Sequence, residues 1–154
     1  MKRKTIIVFV IILFSFFLVN SCKRSEYTAP NFTGPAVKDL YAMINVSKTV
    51  LNIGENTTVT VKVVSNLGGV KNAKVNLVLT TYDGSSVAKY GTIYPSSGTT
   101  DENGVFKTIL YAPDNMSRST YGVMVVAYIS GDPYLFNNRL LTVKADVLFT
   151  NGQY

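Results

Sequence analysis

The side chains able to do chemistry in this 154-residue chain are few, and their spacing points away from catalysis. Histidine is absent and Cys22 is the single cysteine. The Ser–His and Cys–His arrangements that activate a nucleophile cannot be assembled from such an inventory. Zinc sites built on His and Cys are excluded for the same reason. The nine acidic residues stand singly, mostly in turn-like stretches. A paired-carboxylate mechanism needs two acids facing one cleft, and Asp101 and Glu102 are neighbours that point apart on an extended chain. The expectation is a protein that is not an enzyme and carries no cofactor. Asp101-Glu102-Asn103-Gly104 places two oxygen donors before a glycine, as calcium loops do. The twelfth position, where such a loop needs a bidentate glutamate, is Ala112, so a structural turn is the better reading and no metal is expected. Tyr82, Tyr90 and Tyr94 lie close together in an irregular stretch and are the candidate binding residues. A tyrosine offers an apolar ring and a polar tip, which suits protein or sugar contacts. It is also a good strand residue, and the chain has ten, so a structural role competes with binding.

Cys22 stands at the end of a patterned leader. Lys2, Arg3 and Lys4 open it, residues 6–19 form an apolar run broken only by Ser15, and Asn20 and Ser21 lead into the cysteine. A charged start, a short apolar core and a small residue before the cut is the pattern of a secretory signal peptide. The 14 residues from Ile6 to Val19 fall short of the roughly 20 that a membrane-spanning helix requires.

Val19-Asn20-Ser21-Cys22 resembles a bacterial lipobox, with an aliphatic residue three positions before the cysteine and a small one directly before it. The resemblance implies cleavage between Ser21 and Cys22, a thioether-linked diacylglycerol on Cys22 and acylation of the new amino terminus. Two or more acyl chains, at about 0.8 kcal/mol per buried CH₂, hold a protein firmly to a bilayer where one chain does not. An ordinary signal peptide followed by a chance cysteine, or an uncleaved anchor, is the alternative. Lys23, rather than Asp, follows the cysteine; this resembles an outer-membrane sorting signal. The protein is therefore expected in the cell envelope, lipid-anchored, with the membrane itself as a partner. The sequence does not choose between the cell surface and the periplasmic face.

Removal of residues 1–21 leaves 133 residues, one domain by length. Three of the fifteen basic residues go with the leader, leaving twelve against nine acids. So mild an excess, with no basic cluster beyond Lys23-Arg24, gives no support for nucleic-acid binding. Residues 22–38 read as the lipidated cysteine and a flexible linker, polar and marked by Pro30, Gly34 and Pro35. From residue 39 to 149, strand-like segments alternate with turn signals. Residues 40–46 and 49–52 come first. Residues 57–65 place Val59, Val61 and Val63 on one face, and residues 73–81 do the same with Val75, Leu77 and Leu79. Residues 87–93 read as a short edge strand and 94–100 as irregular. Residues 105–111 put Phe106, Thr108 and Leu110 together. Residues 121–130 turn Val123, Val125, Ala127 and Ile129 inward, and 138–149 do so with Leu141, Val143, Ala145 and Val147. Residues 150–154 form a short tail. About seven strands with this spacing and no amphipathic helix predict an all-β, two-sheet sandwich. Tyr121, at the start of a late strand, stands where a tyrosine corner would.

Within that region, residues 49–131 resemble a bacterial Ig-like domain of the invasin/intimin type. The resemblance is carried by residues 54–61, by 67–75, by the Thr99-Thr100-Asp101-Glu102-Asn103-Gly104-Val105-Phe106 piece with Leu110 after it, and by 125–131. It implies an Ig-like β-sandwich used in protein binding or adhesion, with strand edges or loops 82–86 and 94–103 as contact surfaces. A structural subunit of an envelope assembly and a carbohydrate-binding module are the alternatives, so the ligand is an unidentified protein or glycan. The leader generates one direct expectation. Cells fed an alkyne-tagged palmitate should label the wild-type protein, and the label should vanish in Cys22→Ala; equal labelling of both would refute the lipobox reading.

Overall fold

Val59, Val61 and Val63 alternate with Thr58, Thr60 and Lys62, so an extended chain places the three valines on one face and the polar residues on the other. Each valine is fully buried. The same logic repeats along the chain in the computed structural model, which describes residues 39–152. The leader, Ser21, Cys22 and the linker to residue 38 lie outside the described residues. In chain order the elements are β1 (Leu40–Val46), β2 (Val50–Asn52), β3 (Asn56–Ser65), β4 (Gly68–Gly69), β5 (Lys74–Thr81), β6 (Thr92–Tyr94), β7 (Ser97–Thr99), β8 (Val105–Tyr111), β9 (Thr120–Ser130), a one-turn helix α1 (Pro133–Phe136) and β10 (Leu141–Thr150).

These strands form two sheets. One has the order β1-β3-β8-β6, with β4 also on β3; the other has the order β2-β10-β9-β5-β7. All pairings are antiparallel except that of β2 with β10. The inward faces meet in one core that includes Leu51, Val75, Leu110, Val123, Val125, Ile129 and Phe149. Burying each such aliphatic side chain contributes about 1.5–3 kcal/mol, and burial of this kind stabilises the fold without a disulfide.

The chain changes sheet at both sides of the sandwich. At one side, Ser47 N donates to Thr58 O (3.0 Å), still on the first sheet, and two residues later Thr49 O accepts from Leu148 N (2.8 Å) on the second. The crossing drives Leu51 into the core with no exposure. Glu55 clamps it, because its carboxylate takes both the Lys48 ammonium and the Asn52 N–H. Those hydrogen bonds, Lys48 first, hold the Glu55 pKa below the usual glutamate value. At the other side β6 runs straight into β7. Pro95 O accepts from Thr108 Oγ1 (2.6 Å) on the first sheet, and Ser96 O accepts from Leu77 N (2.7 Å) on the second.

The Thr99–Phe106 motif is a turn nailed to its neighbours. Asp101 Oδ1 accepts from the N–H groups of Asn103 (2.9 Å) and Val105 (2.8 Å), so this carboxylate holds the turn between β7 and β8. Gly104 has φ +75°, and a Cβ there would sit 2.1 Å from Val63 O, so only glycine fits. Thr100 is 2% exposed. Its hydroxyl donates to Val70 O and accepts from Ala73 N (2.9 Å). The two sequence stretches around residues 67–75 and 99–106 are thus in direct contact. No buried side-chain polar atom among the described residues lacks a partner, as a stable interior requires.

Three local expectations need correction. The edge strand expected at 87–93 reduces to a single bridge, Thr80↔Val87, and the strand is β6 at Thr92–Tyr94. Gly91 is the reason: at φ +90° it turns the chain over the core, where a Cβ would meet the Phe149 ring at 2.7 Å. The stretch expected to be irregular contains β7, because residues 97–99 find the open edge of β5 at 74–76. The strand expected from 138 begins at Leu141 and is preceded by α1. Asp132 caps that turn by accepting from Tyr134 N (2.8 Å), Pro133 starts it, and Phe136 is buried beneath it. Asn137 and Asn138 then leave it through left-handed backbone. β10 runs on to Thr150, which is buried.

The buried Thr100 hydroxyl yields a stability prediction. Thr100→Val keeps the shape but strands Ala73 N, and should lower the unfolding free energy in urea by about 1–3 kcal/mol. Thr99→Val, on the exposed neighbour, should change it by less than about 0.5 kcal/mol.

Candidate binding groove

The outward face of the second sheet departs from polar alternation at one end. On β10 the outward residues run Thr142, Lys144, Asp146 and then Leu148. The register places Leu148 between Val50 on β2 and Gly122 on β9. Asp146 lies opposite Met124, which in turn lies opposite Thr80. Tyr82 follows β5 directly, and its ring side leans over Gly122: a Cβ on that glycine would stand 3.5–3.7 Å from the tyrosine's atoms.

The result is an open groove of about 480 Å³ lined by Thr49, Val50, Tyr82, Gly122, Asp146, Val147 and Leu148. Gly122 forms a floor with no side chain. Val50 and Leu148 form one wall and Tyr82 the other. Tyr82 is 63% exposed, Val50 44% and Leu148 37%, so the apolar surface is open to solvent. Asp146 stands at the rim and is exposed. Its carboxylate has no hydrogen-bond or ion-pair partner among the described residues. A smaller depression of about 240 Å³ overlies β5 between Val87 and Ser96, and no titratable side chain lines it.

The loop that carries Tyr82 is held by Asp83. This carboxylate accepts from the Thr81 hydroxyl, from Ser85 N (3.1 Å) and from Ser85 Oγ (2.9 Å). Thr81 N closes the loop on Ser86 O (2.8 Å). These bonds, the one from Thr81 first, push the Asp83 pKa below the usual aspartate value.

The three candidate tyrosines are not brought together. Tyr82 is in the groove. Tyr94, 74% exposed, stands on β6 in the other sheet. Tyr90 is half-buried: it packs edge-to-face on Tyr121 with ring centroids 4.9 Å apart, shares a hydrogen bond with the Ser117 hydroxyl (3.0 Å), and has the Lys89 ammonium 5.3 Å from its ring centre. Tyr121 does not form a corner with residues just upstream; its hydroxyl accepts instead from Lys89 N, 32 residues earlier, at 3.4 Å. The other groove residues come from β2 and Thr49 just before it, from β9 and from β10, and sequence reasoning missed them. Two signals were available: an apolar residue, Leu148, in an outward series that is otherwise polar, and a glycine inside a strand, which marks a place of close approach.

No protein-family model matches the chain, and no curated protein matches it in sequence. Solved structures match the fold. The chain is similar to the Salmonella enterica SafA pilin in complex with the SafB chaperone, with TM-score 0.57 and 11% identity over 77% of this chain and 57% of that one. It is also similar to the periplasmic chaperone SfaE, with TM-score 0.53 and 8% identity over 71% and 57%, and to the D00-D0 domain of intimin, with TM-score 0.51 and 19% identity over 77% and 51%. The match spans little more than half the length of each of these structures. Identities this low establish the fold: the chain is an all-β, Ig-like sandwich. The intimin-type resemblance seen in residues 49–131 holds at that level.

The Asp83 hydrogen bonds imply a measurable pH dependence. Because the folded pKa is depressed, the stabilisation of loop 82–86 is fully present above the ordinary aspartate pKa and is lost as pH falls through the lowered value. An NMR titration should find the Asp83 carboxyl titrating below an unstructured aspartate. Asp83→Ala should speed amide exchange at Ser85 and Ser86 while leaving the core amides protected.

Proposed function

We propose that this protein is a membrane-anchored bacterial lipoprotein that presents a single Ig-like domain at the cell envelope for protein binding or adhesion. The observation that carries the binding role is the open apolar groove between Tyr82 and the Val50–Leu148 wall. Aromatic and aliphatic side chains gathered at a concave surface are what protein contacts use. The likeness to intimin and pilus-chaperone structures supports an envelope setting. The anchor is read from Val19–Cys22 and the tether from residues 23–38. The role in this reading is non-enzymatic, in keeping with a sequence that offers no Ser–His or Cys–His arrangement to activate a nucleophile.

A structural role within an envelope assembly is the second reading, and one observation favours it. Leu148 N points to β2, so the even residues of β10 direct their backbone groups away from β9. Among the described residues no strand pairs with those of Thr142, Lys144 and Asp146. An unpaired edge of this kind is a template for another chain.

Photo-crosslinking in intact cells distinguishes the readings. With p-benzoylphenylalanine in place of Tyr82, a discrete adduct is expected, and none with the probe in place of Tyr94. An adduct from a probe at Thr142 but not at Tyr82 would favour the structural subunit. Protease shaving of the same cells reports the membrane face, since surface adhesion requires the wild-type domain to be cleaved.

A further inference from the structure

The groove around Tyr82 has a chemistry more specific than apolar contact. Its walls are the aliphatic side chains of Val50 and Leu148 and the ring of Tyr82, and among the described residues its only charged lining residue is Asp146. That carboxylate is unpaired among the described residues. Lys144 shares the face two residues away, yet forms no ion pair with it. Glu55 pairs with Lys48 and Glu102 with Lys71, and Asp83, Asp101 and Asp132 accept from backbone N–H groups, whereas Asp39 and Asp114 are, like Asp146, without a partner among the described residues but line no groove. Among the described residues Tyr82 has no ring partner of its own, whereas Tyr90 packs edge-to-face on Tyr121.

We propose that this groove receives an arginine or lysine side chain of a protein partner. The assignment rests on the protein-binding reading above and narrows it. A long basic side chain has an apolar stem and a cationic head. The stem fits along Val50 and Leu148. The head meets a free carboxylate at Asp146 and the face of an exposed tyrosine, which attract a cation by charge and by the ring quadrupole respectively. Arginine suits this combination best, because its planar guanidinium both stacks on a ring and forks onto a carboxylate. The absent side chain of Gly122 leaves the depth such a stem needs. A sugar is the poorer fit, since it presents hydroxyls all round and, among the described residues, the groove offers it only the Thr49 hydroxyl, the Asp146 carboxylate and the Tyr82 hydroxyl. A metal ion is poorer still with one carboxylate to hold it.

The test uses the full chain in detergent micelles and immobilised blocked heptapeptides, randomised except for a central Arg, Lys, Gln, Leu or Glu. The Arg and Lys sets should retain the protein roughly fivefold or more over the Gln and Leu sets, and the Glu set least. The preference should weaken between 50 and 500 mM salt, as exposed charge pairs do. It should collapse in Asp146→Asn and Tyr82→Ala, both exposed positions, with melting temperatures unchanged. Retention without preference for a basic centre would overturn the assignment and leave the protein-binding reading intact. No retention of any set would also overturn it; if the crosslink at position 82 then still forms, the protein-binding reading survives, and if that too is silent, both fail.

Discussion

A two-sheet sandwich of this size has to manage the sides where its sheets end. There is no disulfide to tie the sheets together, and an open strand edge invites pairing with other chains. Here the backbone itself crosses from one sheet to the other at both sides, through residues 47–49 and through Pro95 and Ser96. Each crossing satisfies hydrogen-bonding groups on both sheets within two or three residues. The first also delivers Leu51 to the middle of the core. The packing of Phe149, Val147 and Val59 against the same core presupposes that the sheets are held in this relation.

The crossing also creates the groove. β2 pairs with β10 only at residues 148–150, so it adds a wall at one end of the sheet, and among the described residues no strand pairs with the rest of that edge. Thr49 and Val50 belong to the crossing itself, and the strand register sets Val50 beside Leu148. The other wall depends on a different local device, the Asp83 hydrogen bonds that close the loop after β5 and lean Tyr82 over Gly122. A structural constraint at the sandwich side and a tight turn on another strand thus meet across a glycine. Asp146, exposed and without a partner among the described residues, stands where they meet.

The long strands were legible because their inward faces are written as a period of two. Every inward residue expected on β3, β5, β8 and β9 is buried, since alternation is a local property and needs no partner to be read. The Asp101–Gly104 turn was legible for a similar reason: its side chain and its glycine act within four residues. The short elements were not. Residues 97–99 become a strand only because β5 has an edge to offer, and Val87 pairs for one residue because Gly91 then carries the chain elsewhere. Among the three candidate tyrosines, nearness in sequence did not become nearness in space. The chain changes sheet between Tyr82 and Tyr94, and Tyr90 turns onto Tyr121.

By itself the sequence determined the class of fold, the inward residues of the main strands and the absence of histidine chemistry, because these follow from residue type and local period. It also carries the leader and Cys22, whose meaning lies in an order of residues rather than in a packed structure. Which outward side chains share a surface was decided only by tertiary structure. Val50, Tyr82, Gly122, Asp146 and Leu148 come from distant parts of the chain. They form one groove because strand pairing sets the register of β2, β9 and β10, and a register shifted by one residue would have turned half of them inward.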